Sequence, residues 1–331
     1  MRDLIIVTGG AGFIGSAVIW KLNREKFENI LVVDSLDDSI KWKNLVGLKF
    51  YDYVEKDDFL RDITDGKYNR VKIDTIFHLG ACSSTIHPDA KVYVKDNYEY
   101  SKILCKFSVS KNIRFIYASS AATYGDGSFG FSDDESQLEV LRPLNMYGYS
   151  KHLFDLWAKN NALLKKIVGL KYFNVFGPNE YHKAEMRSFV VKAFEQIVAY
   201  GKVKLFKSYL PEYKDGEQLR DFIYIKDAVN MTFHFFKNRN LFGIFNIGTG
   251  KPHSFNELVK HVFDAMGKEV KIEYIDMPES IKNQYQYYTC ADIKKLLSTG
   301  YNLPVTDFGV AIHEYVKKYI ALSKYLADYE S

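Results

Sequence analysis

The 331-residue chain is poor in cysteine and carries almost balanced charge. Its three cysteines, Cys82, Cys105 and Cys290, are odd in number and lack metal-ligand spacing. We therefore expect reduced thiols, with neither a disulfide nor a metal site. The formal net charge of only +4 excludes a strong electrostatic field, so nucleic acid is not an expected partner.

Long apolar runs are also missing. No stretch approaches the roughly 20 apolar residues that a membrane-spanning helix needs. The first strand is predicted to begin by Leu4, which leaves no room for a signal peptide. These absences predict a cytoplasmic protein without a membrane partner.

Shorter apolar runs recur along the chain, with helical stretches between them. They cover residues 4–8, 30–33, 74–79, 113–118 and 167–175. Strand alternating with helix is typical of a parallel sheet with helices on both faces, so the sequence predicts a doubly wound α/β fold. Ligands of such sheets bind beyond the carboxyl ends of the strands. The residues just after each run are therefore the candidates for a functional site.

A glycine-rich turn follows the first run. Gly10, Gly12 and Gly15 satisfy G-x-G-x-x-G, and Gly9, Gly12 and Gly15 satisfy the looser G-x-x-G-x-x-G spacing. One glycine permits a tight turn, one admits a pyrophosphate close to the main chain, and one lets the next helix pack on the strand. Unpaired N–H groups at the start of that helix would meet the phosphates. The pattern predicts a Rossmann-type dinucleotide site.

The second run ends in Asp34, about where such a sheet places the carboxylate that binds the adenosine ribose. A carboxylate repels a 2′-phosphate, which favours NAD. Lys41 and Lys56 could instead neutralise that phosphate if their loops fold over the adenosine. These residues leave the choice between NAD and NADP open.

Hydroxyl groups and a Tyr-Lys pair follow the fourth run. Ser119, Ser120 and Thr123 stand where they could orient an alcohol or carbonyl, or simply cap a turn. Tyr147 and Lys151 are four residues apart in a helical stretch and so share one face. A phenol, with an ordinary pKa of about 10, needs a nearby cation to act as a base. Lys151 is predicted to lower the pKa of Tyr147 in this way.

These motifs resemble those of a known group of enzymes. The segments TGGAGFIG, DTIFHLGA, YASSAATYG, YGYSK and KYFNVFGP resemble the extended short-chain dehydrogenase/reductases that act on nucleotide sugars. Further segments, GACSS, NVFGPNEYHK, GEQLRDFIYIKD, GIFNIGTG and NQYQYYTCADI, resemble the ADP-L-glycero-D-manno-heptose 6-epimerase family. Together they span nearly the whole chain.

The resemblance implies a redox epimerisation of ADP-heptose at C6″, outside the sugar ring, that supplies precursors of the lipopolysaccharide core. It implies that Tyr147 and Lys183 are acid/base groups on opposite sides of the sugar. Lys151 would assist Tyr147, and Ser120, rather than Ser119, would hydrogen-bond the reacting oxygen. The family uses NADP, which outweighs the electrostatic argument for NAD, although NAD stays an alternative.

The resemblance also implies binding positions. Those for the cofactor are Gly9, Gly12, Phe13, Ile14, Gly15, Asp34, Ser35, Lys41, Lys56, Leu79, Gly80, Ala81, Cys82, Ser83, Asn97, Tyr147, Lys151, Val175 and Lys183. Those for the substrate are Ser120, Asn174, Glu185, Lys192, Phe206, Lys207, Ser208, Tyr209, Arg220 and Tyr285. Two residues depart from the family pattern: Asp96 stands where an asparagine is expected, and Glu185 replaces a small polar residue. The departures leave the ligand contacts around them open.

Two domains are predicted. Residues 1–175 form the dinucleotide-binding domain, with elements near 221–250 returning to it. Residues 176–331 form mainly a smaller α/β substrate-binding domain. The resemblance further implies a homo-oligomer, which in the family is a pentamer.

Other functions stay open as alternatives. UDP-hexose 4-epimerases share the serine, tyrosine and lysine, and only the segment around Lys183 argues against them. A dinucleotide-binding sensor without catalysis commonly lacks the tyrosine or the lysine, and this chain has both. Nucleotide-sugar 4,6-dehydratases use an Asp-Glu pair where this chain has Ala121 and Ala122, which argues against dehydration.

Overall fold

The computed structural model describes residues 3–84, 88–282 and 285–329. The strands in these ranges are β1 (Leu4–Thr8), β2 (Ile30–Asp34), β3 (Asp52–Glu55), β4 (Ile73–His78), β5 (Arg114–Ser120), β6 (Val168–Tyr172), β7 (Asn174–Phe176), β8 (Val203–Phe206), β9 (Leu219–Arg220), β10 (Phe222–Tyr224), β11 (Gly243–Ile247), β12 (His253–Ser254) and β13 (Ile272–Ile275). The α-helices are α1 (Phe13–Arg24), α2 (Lys56–Thr64), α3 (Ala90–Tyr93), α4 (Tyr100–Ser110), α5 (Met146–Asn160), α6 (Phe189–Tyr200), α7 (Ile225–Lys237), α8 (Phe255–Ala265), α9 (Glu279–Lys282), α10 (Lys294–Ser298) and α11 (Phe308–Glu314).

The main sheet has seven strands in the order β11-β6-β5-β4-β1-β2-β3, and every neighbouring pair is parallel. Its side chains alternate between two apolar layers. In β1, Ile5 and Val7 belong to the layer that contains α1 and α7, whereas Leu4 and Ile6 belong to the layer that contains α4 and α5. Both faces are covered, which explains why these strands are continuous apolar runs in the sequence.

The predicted Rossmann-type α/β fold is confirmed. The predicted run 167–175 is not one strand, because the chain leaves the main sheet after β6 and β7 pairs with β10 instead. The edge strand β3 was not predicted. Its residues Asp52, Tyr53, Val54 and Glu55 are exposed to half-buried and half of them are charged, so they lack the apolar signal of the central strands.

The second half of the chain adds three small two-stranded sheets among the described residues. Strands β8 and β13 pair in parallel, and β9 and β12 pair in antiparallel. Strands β10 and β11 return to β7 and β6. The division of the chain at residue 175 stays a prediction. A search of the described residues finds no helix of the length and apolar character that a membrane crossing requires.

Candidate active site

A cleft of about 520 Å³ lies at the carboxyl ends of the main-sheet strands. It is lined by Gly9, Gly12, Phe13, Ile14, Gly15, Asp34, Asp37, Ser39, Lys41, Leu79, Gly80, Ala81, Ser83, Ser84, Ala118, Ser119, Ser120, Tyr147, Lys151, Tyr172, Phe173, Val175, His182, Lys183, Ala184 and Met186. The fold therefore brings the glycine turn, the acidic end of β2, the serines of β5, the Tyr-Lys pair and Lys183 to one place.

The glycine turn forms a cradle that side chains would fill. Gly9 has a φ of +67°, and a Cβ there would lie 2.5 Å from the backbone nitrogen of Gly80. A Cβ on Gly15 would lie 2.0 Å from the carbonyl oxygen of Gly9. Helix α1 begins after Gly12 and no side chain caps it, so its first N–H groups face the cleft without intrahelical partners. The cradle fits a pyrophosphate, as the spacing predicts.

Asp34 is engaged at the edge of this cradle. Its carboxylate accepts hydrogen bonds from the Ala11 and Ser35 amides, both at 2.8 Å, and from Lys41 Nζ at 2.9 Å. Lys56 lies outside the cleft lining and donates to Asp96 at 3.0 Å. The aspartate that departs from the family pattern is thus the ionic partner of Lys56, whereas Lys41 stays beside Asp34.

Asn97 holds the segment after β4 by hydrogen bonds from its side chain. Its side chain accepts from the Cys82 amide at 2.8 Å and donates to the Cys82 carbonyl at 3.0 Å. The same amide group donates to the Ser150 hydroxyl at 2.9 Å. Ser35, Lys56, Cys82 and Asn97 are therefore beside the cleft and not among the described residues that line it. Asn97 ties the segment after β4 to helix α5.

Helix α5 presents Tyr147 and Lys151 to the cleft. The Asn145 side chain caps the helix by accepting from the Gly148 amide at 2.8 Å. Lys151 Nζ, one turn after Tyr147, donates to the Ala118 carbonyl at 2.8 Å. Burial lowers the pKa of Lys151 to about 8. This lysine therefore carries its charge at neutral pH and begins to lose it just above.

The pKa of Tyr147 moves against the prediction. Burial raises it, and a hydrogen bond with the Ser120 hydroxyl opposes the rise. Lys151 points its ammonium at a carbonyl of β5, so desolvation outweighs the expected effect of the cation in this structure. The contact between Ser120 and Tyr147 places the predicted serine, rather than Ser119, against the phenol.

Lys183 also lines the cleft. It lies in the 3₁₀ turn Tyr181–Met186, with Nζ 5.0 Å from the ring centroid of Phe13. Burial lowers the pKa of Lys183, and the carboxyl group of Glu180 opposes this. Glu180 is fully buried and accepts hydrogen bonds from the Gly177 amide at 3.3 Å and the Tyr315 hydroxyl at 3.0 Å. A cation and a phenol thus flank the same cavity.

Sequence reasoning missed His182, which also lines the cleft. Its Nδ1 lies 3.2 Å from the Asn44 amide nitrogen, and that nitrogen is within 3.0 Å of the carbonyls of Ala11 and Asn179. Burial lowers the pKa of His182 to about 4, so the ring is neutral at neutral pH. His182 could have been predicted, because it directly precedes Lys183 in the sequence. Nothing in the sequence around Asn44 indicates the contact between Asn44 and His182.

Most residues predicted to bind the substrate form a second group outside the cleft lining. Arg220 is 7% exposed, and its guanidinium lies 5.3 Å from the Tyr285 ring. It donates to the Leu219 carbonyl at 2.9 Å and also to the Gln286 carbonyl. Phe206 packs edge-on against Tyr285 at 6.1 Å. These contacts place Arg220, Phe206 and Tyr285 together, and their part in substrate binding stays a prediction.

The remaining predicted substrate residues are more exposed. Lys207 and Tyr209 both donate to Asp276, and the Ser208 amide donates to Asp215. Glu185 accepts through its carbonyl from Lys192 Nζ at 2.6 Å. Asn174 lies at the start of β7 and its side-chain oxygen is 3.3 Å from the Thr289 hydroxyl. Of the substrate positions, only Ser120 is among the described residues that line the cleft itself.

Comparison with known proteins places this site in a family. Residues 5–248 match the NAD dependent epimerase/dehydratase family, whose description makes a nicotinamide dinucleotide the cofactor class. The ADP-L-glycero-D-manno-heptose-6-epimerase of Nitratidesulfovibrio vulgaris (strain DP4) is 50% identical over 318 residues, which cover 96% of this chain and 98% of the relative. The resemblance seen in the sequence motifs is confirmed.

Solved structures agree with this placement. The crystal structure of Helicobacter pylori ADP-L-glycero-D-manno-heptose-6-epimerase superposes with a TM-score of 0.80 at 29% identity, over 96% of each chain. The UDP-N-acetylglucosamine 4-epimerase from Methanobrevibacter ruminantium M1 superposes with a TM-score of 0.81 at 26% identity, over 97% of this chain and 100% of that one. The backbone alone therefore does not separate a 6-epimerase from a 4-epimerase. The chain belongs to the NAD dependent epimerase/dehydratase family and is a nucleotide-sugar epimerase.

Proposed function

We propose that this enzyme converts ADP-D-glycero-D-manno-heptose to ADP-L-glycero-D-manno-heptose by inverting C6″ through transient oxidation and re-reduction. The observation that carries the proposal is that Tyr147 and Lys183 both line one cleft, where Lys183 Nζ lies 5.0 Å from the Phe13 ring. Hydride leaves and returns at C6″, so the oxygen on that carbon must lose a proton in one orientation and regain one in the other, and two acid/base groups in one cleft can serve the two orientations. The 50% identity to a relative named as this epimerase supports the choice of substrate.

The residues of the cleft fit a dinucleotide, and we propose NADP. The Gly9 to Gly15 turn and the start of α1 would hold the pyrophosphate, Lys151 the nicotinamide ribose, and Val175 the far wall. When bound, the nicotinamide ring supplies hydride acceptance and return. Lys41 already neutralises Asp34 at 2.9 Å and can face a 2′-phosphate, which answers the electrostatic objection to NADP. Identifying the nucleotide released on denaturation tests this, and recovery of NAD alone would contradict it.

The side chains then have distinct tasks. Tyr147 takes the proton of the C6″ hydroxyl as that carbon gives up hydride. The raised pKa of Tyr147 opposes this step, which therefore needs Lys151 to leave the Ala118 carbonyl and turn toward the phenol and the ribose. Ser120, which hydrogen-bonds the phenol, is placed to hold the same oxygen. Because C6″ lies outside the ring, rotation about a single bond exposes the opposite face of the carbonyl. Lys183 gives a proton to the oxygen on that side. Burial lowers the pKa of Lys183, which brings proton exchange at its amine closer to neutral pH.

Incubation with ADP-D-glycero-D-manno-heptose, followed by NMR of C6″, tests the reaction. Inversion at C6″ supports the proposal, whereas inversion of UDP-glucose at C4 would favour the 4-epimerase that superposes equally well. A protein that holds the dinucleotide but turns over neither sugar would be the sensor.

Lys183→Met tests the second acid/base group. The variant should keep the dinucleotide and lose epimerisation, because the C6″ oxygen then lacks its acid/base partner in one of its two orientations. Lys260→Met, on helix α8, is the matched control for loss of a lysine. Unchanged epimerisation by the Lys183 variant would remove Lys183 from the mechanism.

A cytoplasmic location and a homo-oligomer, a pentamer by resemblance, stay predictions.

A further inference from the structure

A buried ion pair lies next to the catalytic strand end. Asp155 of α5 is 0% exposed and Lys171 of β6 is 1% exposed. Lys171 Nζ is 3.7 Å from Asp155 Oδ2. Neither is among the described residues that line the cleft. Burying two charges costs several kcal/mol per ion before their attraction is counted, and well-packed apolar residues are often at least as stable. Stability alone is therefore a weak reason for this pair.

Hydrogen bonds connect the pair to β5 on both sides. The Asp155 carboxylate accepts from the Tyr117 hydroxyl at 2.9 Å and from the Ser119 hydroxyl at 2.7 Å. Lys171 donates to the Thr123 hydroxyl at 2.8 Å. Thr123 in turn donates to the carbonyl of Ser120, also at 2.8 Å. The segment that carries Ser120 is thus held in two ways. Asp155 binds the side chains of Tyr117 and Ser119, and Lys171 binds Thr123, which in turn binds the Ser120 carbonyl.

The same carboxylate acts on Lys151, one helical turn earlier on α5. Burial lowers the pKa of Lys151, and the charge of Asp155 opposes that effect. Other titratable groups also surround Lys151, Asp155 and their neighbours. They are Cys82, Cys105, His78, Tyr117, Tyr124, Asp133, Glu135, Tyr147, His152 and Lys171. Burial keeps His78 neutral at neutral pH by lowering its pKa to about 3. Asp133 and Glu135 act on Lys171, whereas Asp155 is the carboxylate that acts on Lys151.

We propose that Asp155 and Lys171 are positioning residues of the active site. Their hydrogen bonds hold the end of β5, and so Ser120, in place, and the Asp155 carboxylate keeps Lys151 in its ammonium form. Lys171 shares that carboxylate and therefore weakens its effect on Lys151. The inference rests on the proposed function only for the parts that Ser120 and Lys151 play in the reaction.

The pair gives two variants with effects of opposite sign. Asp155→Asn removes the negative charge and keeps the shape, so the titration midpoint of Lys151 should move to lower pH. Lys171→Met removes the competing cation, so the midpoint should move to higher pH. The midpoint is read by NMR of protein labelled at lysine Cε and Nζ, with the Lys151 signal assigned through Lys151→Arg. This readout needs no turnover.

Asp227→Asn is the matched control. Asp227 is 4% exposed and accepts two hydrogen bonds from Thr306, at 3.0 Å each. Like Asp155, it is a buried aspartate whose carboxylate is hydrogen-bonded. Its replacement should leave the Lys151 midpoint unchanged. Coincident midpoints in wild type, Asp155→Asn and Asp227→Asn would overturn the inference. The inference would also be overturned if Asp155→Asn and Lys171→Met shifted the Lys151 midpoint in the same direction. A charge effect predicts opposite directions, whereas a general loosening of the core would shift both variants alike.

The alkaline limb of the epimerase pH profile should follow the two midpoints. If the NMR shifts are found but ADP-heptose is not epimerised, the proposed function fails and the inference about Asp155 stands. If ADP-heptose is epimerised but the midpoints do not move, the proposed function stands and the inference fails.

Discussion

Residues on the cofactor side of the cleft and residues predicted to bind the sugar nucleotide are held in different ways. On the cofactor side they stand at the ends of strands of the main parallel sheet, as Asp34 ends β2 and Leu79 directly follows β4. On the substrate side they come from two-residue strands and connecting segments, as Arg220 does in β9. Arg220 already donates to the backbone carbonyls of Leu219 and Gln286, whereas the first amides of α1 face open space.

This difference indicates where each part of the function is specified. The parallel sheet forms the dinucleotide cradle before any ligand arrives, because strand ends and the start of α1 are fixed by the core. The substrate side must exchange internal hydrogen bonds for bonds to a ligand. We therefore expect changes on the cofactor side to abolish function outright, and changes on the substrate side to alter affinity.

Gly15→Ala should have the largest effect and tests whether the cradle is rigid. The new methyl group would lie 2.0 Å from the Gly9 carbonyl oxygen, so α1 or the turn must move. Dinucleotide binding, measured by titration calorimetry, should be lost together with activity. Gly12→Ala, whose methyl group would lie 3.1 Å from the same oxygen, should lose less. Equal binding by wild type and the Gly15 variant would show that the turn adapts.

Tyr147→Phe should lower kcat by about 10² to 10⁴, the range that positioned acid/base groups contribute. Cofactor binding should stay close to that of wild type, since the phenol is not part of the glycine cradle. Tyr149→Phe is the control, because this tyrosine is two residues away on the same helix and 47% exposed. If the two variants retain equal activity, Tyr147 is not the proton carrier.

Arg220→Lys tests the substrate side of the comparison. Lysine cannot reproduce the planar fork of donors, and hydrogen bonds to charged groups contribute about 1.5 to 3 kcal/mol each. The KM for ADP-heptose should rise by about ten- to a hundredfold, while the Kd of the dinucleotide stays unchanged. Arg187→Lys, in an ion pair with Glu195, is the control. A parallel loss of dinucleotide affinity would mean that the two sides are not separate.

The pH dependence should show the smallest effect. The pKa of Lys151 is lowered to about 8, so activity that needs its ammonium form should fall as the pH rises through about 8. Lys151→Arg should move this alkaline limb to higher pH, since guanidinium stays charged. The contribution of Lys151 to folding stability changes with pH in the opposite direction to activity. Between about pH 8 and the ordinary lysine pKa the unfolded chain binds more protons, so this group's cost to folding fades as the pH rises. An alkaline limb that does not move in Lys151→Arg would assign it to another group.

Much of the cofactor side could be predicted, because short sequence motifs indicate it. The glycine spacing, the acidic end of β2 and the Tyr-Lys pair are each contained in a few consecutive residues, and the structure brings all of them to the cleft. The same local rules missed β3, whose exposed polar residues lack apolar periodicity. They also extended β6 through residue 175, because Phe173 and Val175 prolong the apolar run into β7 even though Asn174 between them is exposed.

The sequence by itself determined the parallel α/β sheet and the dinucleotide cradle, because the apolar runs and the glycine spacing are patterns among residues that are close together in the chain. The tertiary structure alone decided the direction of the Tyr147 pKa, the pairing of Lys56 with Asp96, and the ion pair of Asp155 with Lys171. These depend on burial and on contacts between distant parts of the chain. Desolvation and Coulomb attraction are set by what surrounds a charge in space, and residue order does not contain that information directly.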